Sequence, residues 1–306
     1  MIRCCLLMIF IAGVACAADP SEPLTALSDQ SGVTISEGDA PVLHYQRAVK
    51  SSDGKWPRAN YVHPLYDLEG RVITEDFPSD HGHHRGVFWA WHQVWVGDKK
   101  LGDPWVCQDF VWDVESVRTT RVGESLSLQA AVLWKSPTHL DAAGQMVAVV
   151  REATEITVHP AQQDYRLVDF AVSLIALVDD VKIGGSEDVK GYGGFSPRIK
   201  LNPQQCFESA DGIVEPVKTA IQAGSWINIA DDTTGIAILS RITNPKPNDR
   251  WILRRKNSMQ NAVFPGRQPV AVSKAKPTVL NYRLVIHSGD LLPTQIKKLQ
   301  EEFDRP

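Results

Sequence analysis

Residues 165–174 read YRLVDFAVSL, and apolar side chains occupy every second position from Val168 to Leu174. Such alternation predicts a β-strand with one face in the core. The stretches 126–135 (LSLQAAVLWK), 154–159 (TEITVH) and 281–287 (NYRLVIH) have the same character. Turn-forming sequences, DAAG at 141–144 and DDTTG at 231–235, separate strand-like segments. The chain is therefore predicted to consist mainly of strands and turns.

A helical pattern occurs only near the C-terminus. Four apolar residues with helical spacing would share one face there, and Thr294 would cap the helix; they are Leu292, Ile296, Leu299 and Phe303. Many strands with long connections and almost no helix indicate an all-β fold. We expect a large antiparallel β-sandwich with a short C-terminal helix.

The first residues have the features of an export signal. A short positive start precedes an apolar run from Cys4 to Val14, and the sequence Ala15-Cys16-Ala17 suits signal peptidase. We expect residues 1–17 to be removed by cleavage after Ala17. Residues 18–306 would then form a single domain in a secreted or periplasmic protein.

Composition excludes several kinds of partner. The formal net charge is −4, and the charged residues form no basic face of the kind that binds nucleic acid. No stretch after the signal is apolar enough to span a membrane. The mature chain would keep two cysteines, Cys107 and Cys206. The sequence leaves open whether they form a disulfide or remain separate thiols.

Residues 76–95 (DFPSDHGHHRGVFWAWHQVW) hold four of the nine histidines. Residues 87–96 are predicted to form a strand and residues 80–86 the loop before it. Histidine changes charge near neutral pH, so this cluster suits general acid or base chemistry. The candidate catalytic residues are His63, His81, His83, His84 and Arg85.

The same histidines permit two other interpretations. On an extended backbone His81 and His83 would point the same way and could bind copper or zinc, with a third ligand from His63, Asp80 or Asp76. The cofactor would then be a divalent metal. Alternatively, the histidines brace a turn, and the protein binds a ligand without catalysis.

Aromatic and glycine-rich segments supply candidate binding residues. Five of the nine tryptophans lie within residues 89–112, and those at 89, 91 and 95 would share one face of a strand. They could form a platform for a sugar or fill the space between two sheets. The segment 190–198 (KGYGGFSPR) could line a pocket. The candidate substrate-binding residues are Trp89, Trp91, Tyr192, Arg198 and Asp80.

Several motifs resemble one family of exported bacterial proteins. They are PRANYVHPLY at 57–66, Gly70, Thr74, DFP at 76–78, DHGHHRG at 80–86, Trp89, GYGG at 191–194 and YRLVIHSG at 282–289. Together they resemble the proteins named "methane oxygenase PmoA-like", over most of the mature chain. That name implies a link to copper-dependent oxygenase chemistry.

A second resemblance concerns architecture. A long all-β chain with an early His/Arg loop, tryptophans and a glycine-rich segment is similar to the galactose-mutarotase type of supersandwich. This similarity implies that a sugar binds in a cleft on one concave sheet. Our leading hypothesis is an exported protein whose His/Arg cluster binds a carbohydrate in a cleft and could process it as a lyase, epimerase or hydrolase. One alternative is a copper- or zinc-binding protein with oxygenase-type chemistry, and a second is an exported binding protein without catalysis. In each case the expected partner is a small-molecule or glycan ligand.

Overall fold

The computed structural model describes residues 23–256, 258–289 and 291–305. The predicted signal peptide, residues 1–17, lies outside the described residues. The described part confirms the prediction of an all-β antiparallel sandwich with one short C-terminal α-helix.

The first half of the chain forms short strands followed by three long ones. These strands are β1 (Leu24–Ser28), β2 (Gly32–Glu37), β3 (Ala40–Gln46), β4 (Lys50–Ser52), β5 (Lys55–Arg58), β6 (Tyr61–Leu65), β7 (Val87–Trp91), β8 (Gln93–Val96), β9 (Lys99–Gly102), β10 (Val111–Val122), β11 (Ser125–Leu140) and β12 (Met146–Val158). A single 3-10 turn, Pro104–Val106, connects β9 to β10.

The second half continues with strands and ends in the helix. Its elements are β13 (Tyr165–Ala176), β14 (Val181–Gly184), β15 (Gly193–Pro197), β16 (Cys206–Ser209), β17 (Gly212–Ile213), β18 (Ile221–Gln222), β19 (Trp226–Ala230), β20 (Gly235–Ser240), β21 (Arg250–Ile252), β22 (Asn261–Ala262), β23 (Val270–Ala271), β24 (Thr278–His287) and α1 (Pro293–Asp304). The predicted strand in residues 87–96 is two strands, because the chain leaves the ladder at His92.

Two large antiparallel sheets form the sandwich. One has six strands in the order β1-β2-β3-β6-β7-β15, and the other has nine in the order β10-β11-β12-β13-β24-β20-β19-β16-β17. Smaller sheets have the orders β23-β14-β8-β9, β18-β21-β22 and β4-β5. In β13 every second side chain is buried, which is the alternation that the sequence predicts.

Aromatic rings join the two large sheets. Trp89 of the six-stranded sheet lies 6.3 Å between ring centroids from Phe170 of the nine-stranded sheet. Phe170 contacts Phe195 at 5.0 Å, and Phe195 stacks on Tyr282 at 4.5 Å. The contacts remove apolar surface from water, which stabilises the sandwich by roughly 25 cal/mol per Å².

A carboxylate lies inside this core. Glu152 is fully buried and accepts hydrogen bonds from Asn60 Nδ2 (2.7 Å), Trp89 Nε1 (2.7 Å), Trp134 Nε1 (2.7 Å) and the Thr154 hydroxyl (2.6 Å). Burial raises the pKa of the Glu152 carboxyl, although the four donors oppose the shift. The network satisfies the buried polar groups and ties the two sheets together.

The C-terminal helix covers the other face of the nine-stranded sheet. Its residues Ile296, Leu299 and Phe303 are buried against a cluster that includes Trp226 and Leu239. The helix begins at Pro293, so the prediction that Thr294 caps it is wrong. Proline suits the first helical position because the amide hydrogen there has no helical partner.

Leu292, which precedes the helix, is exposed and does not join the apolar face. Within residues 23–256, 258–289 and 291–305, no helix has both the length and the apolar character needed to cross a membrane.

Candidate functional site

Three histidines meet at a tight turn before β7. The His84 amide donates to the His81 carbonyl at 2.8 Å, so residues 81–84 form a turn and not the extended chain that the sequence suggested. The His81 and His84 rings stack with centroids 4.9 Å apart and planes 8° apart. The His83 ring meets His84 edge-on at 4.5 Å. The turn therefore gathers all three imidazoles on one side.

These imidazoles line a cavity of about 370 Å³. The turn, the segment that includes the 3-10 turn, the loop before β15 and the segment before β22 all contribute. The lining side chains are His81, His83, His84, His92, Trp105, Val106, Ser186, Asp188, Lys190, Tyr192, Arg254, Lys256 and Met259. A cavity of this volume lies in the range of small-molecule sites.

His84 rests on a buried arginine. Arg198 donates from Nη1 to His84 Nδ1 at 3.2 Å, from Nη2 to Asp80 at 2.8 Å and from Nε to Glu75 at 2.7 Å. A guanidinium can only donate, so His84 Nδ1 accepts and the proton of the neutral ring is on Nε2. Burial lowers the pKa of His84 far below its usual range, and the neighbouring His83 and Arg198 add to the shift.

Two other histidines have carboxylate partners. His81 Nδ1 lies 3.0 Å from Asp80 Oδ2, and His92 Nδ1 lies 2.8 Å from Asp103 Oδ2. An ionised carboxylate accepts only, so each Nδ1 carries the hydrogen and each Nε2 is left for a ligand. Burial opposes ionisation of Asp80, yet the hydrogen bond from His81 and the ion pair with Arg198 hold its pKa below the usual value.

The remaining imidazole of the cavity is that of His83. Burial lowers its pKa to about 4, and the nearby His81 acts in the same direction. At neutral pH the ring is therefore uncharged, as a proton acceptor must be.

One wall of the cavity is aromatic and is formed by Trp105 and Tyr192. Hydrogen bonds to the 3-10 turn hold Trp105 in place. Asp103 caps the 3-10 turn by accepting from the Val106 amide at 3.3 Å, and Arg58 donates to the carbonyls of Pro104 (2.6 Å) and Trp105 (3.1 Å). Trp105 then stacks on His92 with centroids 5.2 Å apart. The Trp105 ring is thereby fixed beside the imidazoles.

Tyr192 continues the wall beyond Trp105. The two ring centroids are 5.6 Å apart. Two cations flank Tyr192: Lys190 Nζ lies 5.6 Å from the ring centroid and the Arg254 guanidinium 5.5 Å. Arg254 also donates to the Tyr192 hydroxyl.

The structure places several predicted site residues away from the cavity. Arg85 is fully buried and donates to Asp76, to the Tyr61 hydroxyl and to two backbone carbonyls. It braces the chain, so the prediction that it lines the cleft is wrong. His63 pairs with the Thr74 hydroxyl through Nδ1 at 2.9 Å and is not among the lining residues.

The tryptophan prediction is half right. Trp89 and Trp91 share a face of β7, as their spacing predicts, but that face lies in the core between the sheets. The prediction that Trp95 joins them is wrong, because Trp95 lies on β8, which belongs to another sheet. Trp89 donates to Glu152, and Trp91 donates to the Phe264 carbonyl at 2.9 Å. Neither is exposed to a ligand. Of the other predicted binding residues, Tyr192 lines the cavity, whereas Asp80 and Arg198 support His81 and His84 without being among the lining residues.

Sequence reasoning missed much of the lining. No specific role was predicted for His92, Trp105, Arg254 or Lys256, yet all four line the cavity. Phe88 and Ala90 lie on the face of β7 that packs against Trp105, and His92 follows them at the same even spacing. That spacing was the sequence feature that could have indicated His92. For Arg254 the run of three basic residues, 254–256, was the available signal.

The metal site that the sequence offered as an alternative has no counterpart in the described geometry, and the two cysteines, whose pairing the sequence left open, are not bonded to each other. Among residues 23–256, 258–289 and 291–305, no group of three or more His, Cys, Asp or Glu side chains is arranged to hold a metal ion. The two expected ligands, His81 and His83, have ring centroids 5.6 Å apart with planes 73° apart, and Nδ1 of His81 is hydrogen-bonded to Asp80. Cys107 is buried, Cys206 is exposed, and both are free thiols.

The fold and site together define an antiparallel β-sandwich protein with a histidine-lined cavity. The chain belongs to the family described as "Family of unknown function (DUF6807)", whose model matches residues 32–301. The description of this family gives no support to the resemblance to PmoA-like proteins.

Comparison with individual proteins adds little. No curated protein matches the sequence. Among solved structures, the chain is similar to a protein titled "putative mutarotase" from Salmonella typhimurium. The identity is 11%, the match covers 87% of this chain and 94% of that chain, and the TM-score is 0.29. A TM-score this low gives the likeness no weight for function.

Proposed function

We propose that this protein binds a carbohydrate in the histidine cavity and transfers a proton to or from it. The proposal rests mainly on one observation: four imidazoles with different hydrogen-bonding roles line a single cavity of about 370 Å³. A sugar presents many hydroxyl groups, each of which needs both a donor and an acceptor. Neutral imidazoles supply both kinds of partner.

The carboxylate-held histidines are the candidates for proton transfer. Asp80 orients His81, and Asp103 orients His92, in the way that a general base is oriented by a third group. Each ring keeps Nε2 for the ligand. Either ring can accept a proton from a sugar hydroxyl or carbon acid and return it to the product.

His84 has a different proposed role. Its Nδ1 accepts from Arg198, so it offers a fixed hydrogen on Nε2. Its lowered pKa keeps the ring neutral throughout the physiological range. We assign to it the stabilisation of a ligand oxygen by hydrogen bonding and not proton transfer.

A glycan screen with the intact protein tests the proposal. The best glycan is then tested for affinity and turnover with His81→Gln and His92→Gln. Loss of a general acid or base typically costs 10²- to 10⁴-fold in rate, so we expect one of these variants to lose turnover by about that factor with an unchanged melting temperature.

The control is His159→Gln. His159 also pairs with a carboxylate, Asp169 at 3.0 Å, but it does not line the cavity. This variant should keep full turnover. Binding without turnover in the wild-type protein would reject proton transfer and leave a binding protein, whereas the absence of any glycan binding would reject the whole proposal.

We also propose that the protein is exported, because residues 1–17 have the charge, apolar run and small residues of a signal peptide. The mature protein would begin at Ala18. N-terminal sequencing of protein recovered from the producing cell tests this, and an intact Met1 would contradict it.

A further inference from the structure

The cavity changes character along its wall. The His92 imidazole stacks on Trp105, and Trp105 contacts Tyr192 at 5.6 Å. Beyond Tyr192 come the cations Lys190 and Arg254. One part of the wall is therefore built of imidazoles and the other of positively charged groups, with two aromatic rings between them.

The positive part is not neutralised by the side chains around it. Among the described lining residues, Asp188 is the one carboxylate, and it forms an ion pair with Lys190 at 3.1 Å. Arg254 and Lys256 remain as cations without a carboxylate in the lining. The carboxylates Asp80 and Asp103 are paired with imidazoles in the other part of the wall.

Arg254 acts as a fixed charge. Its Nη groups donate to the carbonyls of Val217 (2.7 Å), Leu253 (2.8 Å) and Lys218 (2.8 Å), and to the Tyr192 hydroxyl. All four partners are neutral, so the guanidinium keeps its charge and its position. Because the Tyr192 oxygen accepts from Arg254, its own hydrogen is available to a ligand.

We propose that the ligand of the histidine cavity is an acidic saccharide whose carboxylate or sulfate ester lies against Tyr192, Arg254 and Lys256. The inference rests on the proposed function and specifies its substrate class. The acidic group accepts a hydrogen bond from Tyr192 Oη and lies in the field of Arg254. The sugar ring then extends towards the imidazoles, where its hydroxyl groups find partners.

Calorimetric titration of the full-length mature protein with matched sugars tests this inference. Each set contains a neutral hexose, its uronate and its 6-sulfate, for example glucose, glucuronate and glucose 6-sulfate. We expect at least one acidic member to bind about tenfold or more tightly than its neutral partner. Raising the ionic strength should weaken only the acidic members, since salt screens charge–charge attraction.

The outcomes separate this inference from the proposed function. Equal affinity for neutral and acidic members overturns the acidic substrate and leaves carbohydrate binding intact. If no saccharide binds, neutral or acidic, both the acidic substrate and the proposed function are overturned. Preference for the uronate or for the sulfate identifies which acidic group the site accepts.

Two variants test the proposed contact. Lys256 is exposed, so Lys256→Gln should fold normally and weaken acidic-sugar binding about two- to fivefold, the range expected for one exposed ion pair. Tyr192→Phe removes the hydroxyl while keeping the ring, and it should weaken acidic sugars more than neutral ones. Lys297→Gln, an equal charge change on α1, is the control and should leave both affinities unchanged. Equal weakening of neutral and acidic sugars by Lys256→Gln would contradict the contact.

Discussion

The hydrogen-bond partner decides what each imidazole of the cavity can do. His81 and His84 stack on each other, yet their Nδ1 atoms face opposite kinds of partner, a carboxylate and a guanidinium. The carboxylate requires a hydrogen on Nδ1, and the guanidinium forbids one. Two neighbouring rings are thereby fixed in opposite tautomers, which gives a ligand one acceptor and one donor.

This difference can be measured directly. In ¹⁵N spectra of the histidine rings between pH 6 and 8, we expect neutral His84 to carry its hydrogen on Nε2. The neutral form of His81 should carry its hydrogen on Nδ1. Arg198→Met should release the constraint on His84, whereas Lys297→Gln should not. Observation of the Nδ1–H tautomer for His84 in the wild-type protein would contradict the assignment.

The buried carboxylate of the core allows a stability prediction. Both oxygens of Glu152 accept: Oε1 from Asn60, Trp89 and Thr154, and Oε2 from Trp134. Glu152→Gln replaces one carboxylate oxygen, a hydrogen-bond acceptor, by an NH2 group, which is a donor. That group would then face one of the donors that the carboxylate oxygen had satisfied. Leaving buried partners unsatisfied costs roughly 1–3 kcal/mol, so we expect a loss of about 2 kcal/mol in the free energy of unfolding in urea.

Glu155→Gln is the matched control for Glu152→Gln. Glu155 lies on the same strand, is only partly buried and accepts a hydrogen bond from the Ser127 hydroxyl. The amide oxygen of glutamine can accept the same hydrogen bond. Its free energy of unfolding should change by less than about 0.5 kcal/mol. Similar losses in the two variants would show that the buried network does not discriminate an amide from a carboxylate.

At the level of elements, the turn before β7 depends on a glycine. Gly86 has φ +50°, and a Cβ there would lie 2.0 Å from the Val62 carbonyl oxygen and 2.7 Å from His63 Cβ. Both contacts are too close for any side chain. The neighbouring strand β6 therefore leaves room only for glycine where the histidine turn enters the sheet.

Gly86→Ala should consequently be far more damaging than a glycine substitution in open space. Gly123 has a similar φ of +60°, but nothing lies within 4 Å of its added Cβ. Gly123→Ala should cost about 1 kcal/mol through backbone strain alone and leave ligand binding unchanged. Gly86→Ala should cost at least about 2 kcal/mol more, because β6 must move. Equal melting temperatures for the two variants would contradict this.

Elements with a local signal were predictable from the sequence, and their arrangement was not. The alternation in residues 165–174 gave β13, and the sequence DDTTG gave the turn between β19 and β20. A period of two also showed that Trp89 and Trp91 share a face. It could not show which face, because that depends on the position of the nine-stranded sheet.

The same limit applies to the site. The histidine turn was visible as a cluster of residues, since its members are adjacent in the chain. Tyr192 and Arg254 reach it from segments more than 100 residues away, and no local pattern links those segments. Arg85 was misassigned because a buried guanidinium that braces loops has the same sequence signature as one that holds a substrate.

For the whole molecule, burial of histidine couples stability to pH. Burial lowers the pKa of both His63 and His83 to about 4, from an ordinary value of 6.5, and lowers that of His84 further. In the unfolded chain these groups take up protons near pH 6.5. The folded protein takes up the first of them only near pH 4, so the unfolded state binds more protons in between.

The free energy of unfolding should therefore fall as the pH is lowered from 6.5 to about 4.5. One pKa unit corresponds to about 1.4 kcal/mol, and His63 and His83 are partly exposed, so we expect a loss of about 2–3 kcal/mol. Glu152 acts in the opposite direction. Because its pKa is raised in the folded protein, the folded state takes up this proton at a higher pH than the unfolded state, and lowering the pH stabilises the fold through this residue. Urea unfolding at pH 7, 6, 5 and 4.5 measures the net slope.

One variant separates the contribution of His63 from the rest of this slope. His63→Asn keeps a partner for the Thr74 hydroxyl but cannot take up a proton. It should therefore make the free energy of unfolding less dependent on pH between 6.5 and 4.5, while Lys297→Gln should not alter the dependence. If wild type and His63→Asn showed the same dependence on pH, His63 would not titrate with a lowered pKa in the folded protein, and the prediction for this residue would be wrong.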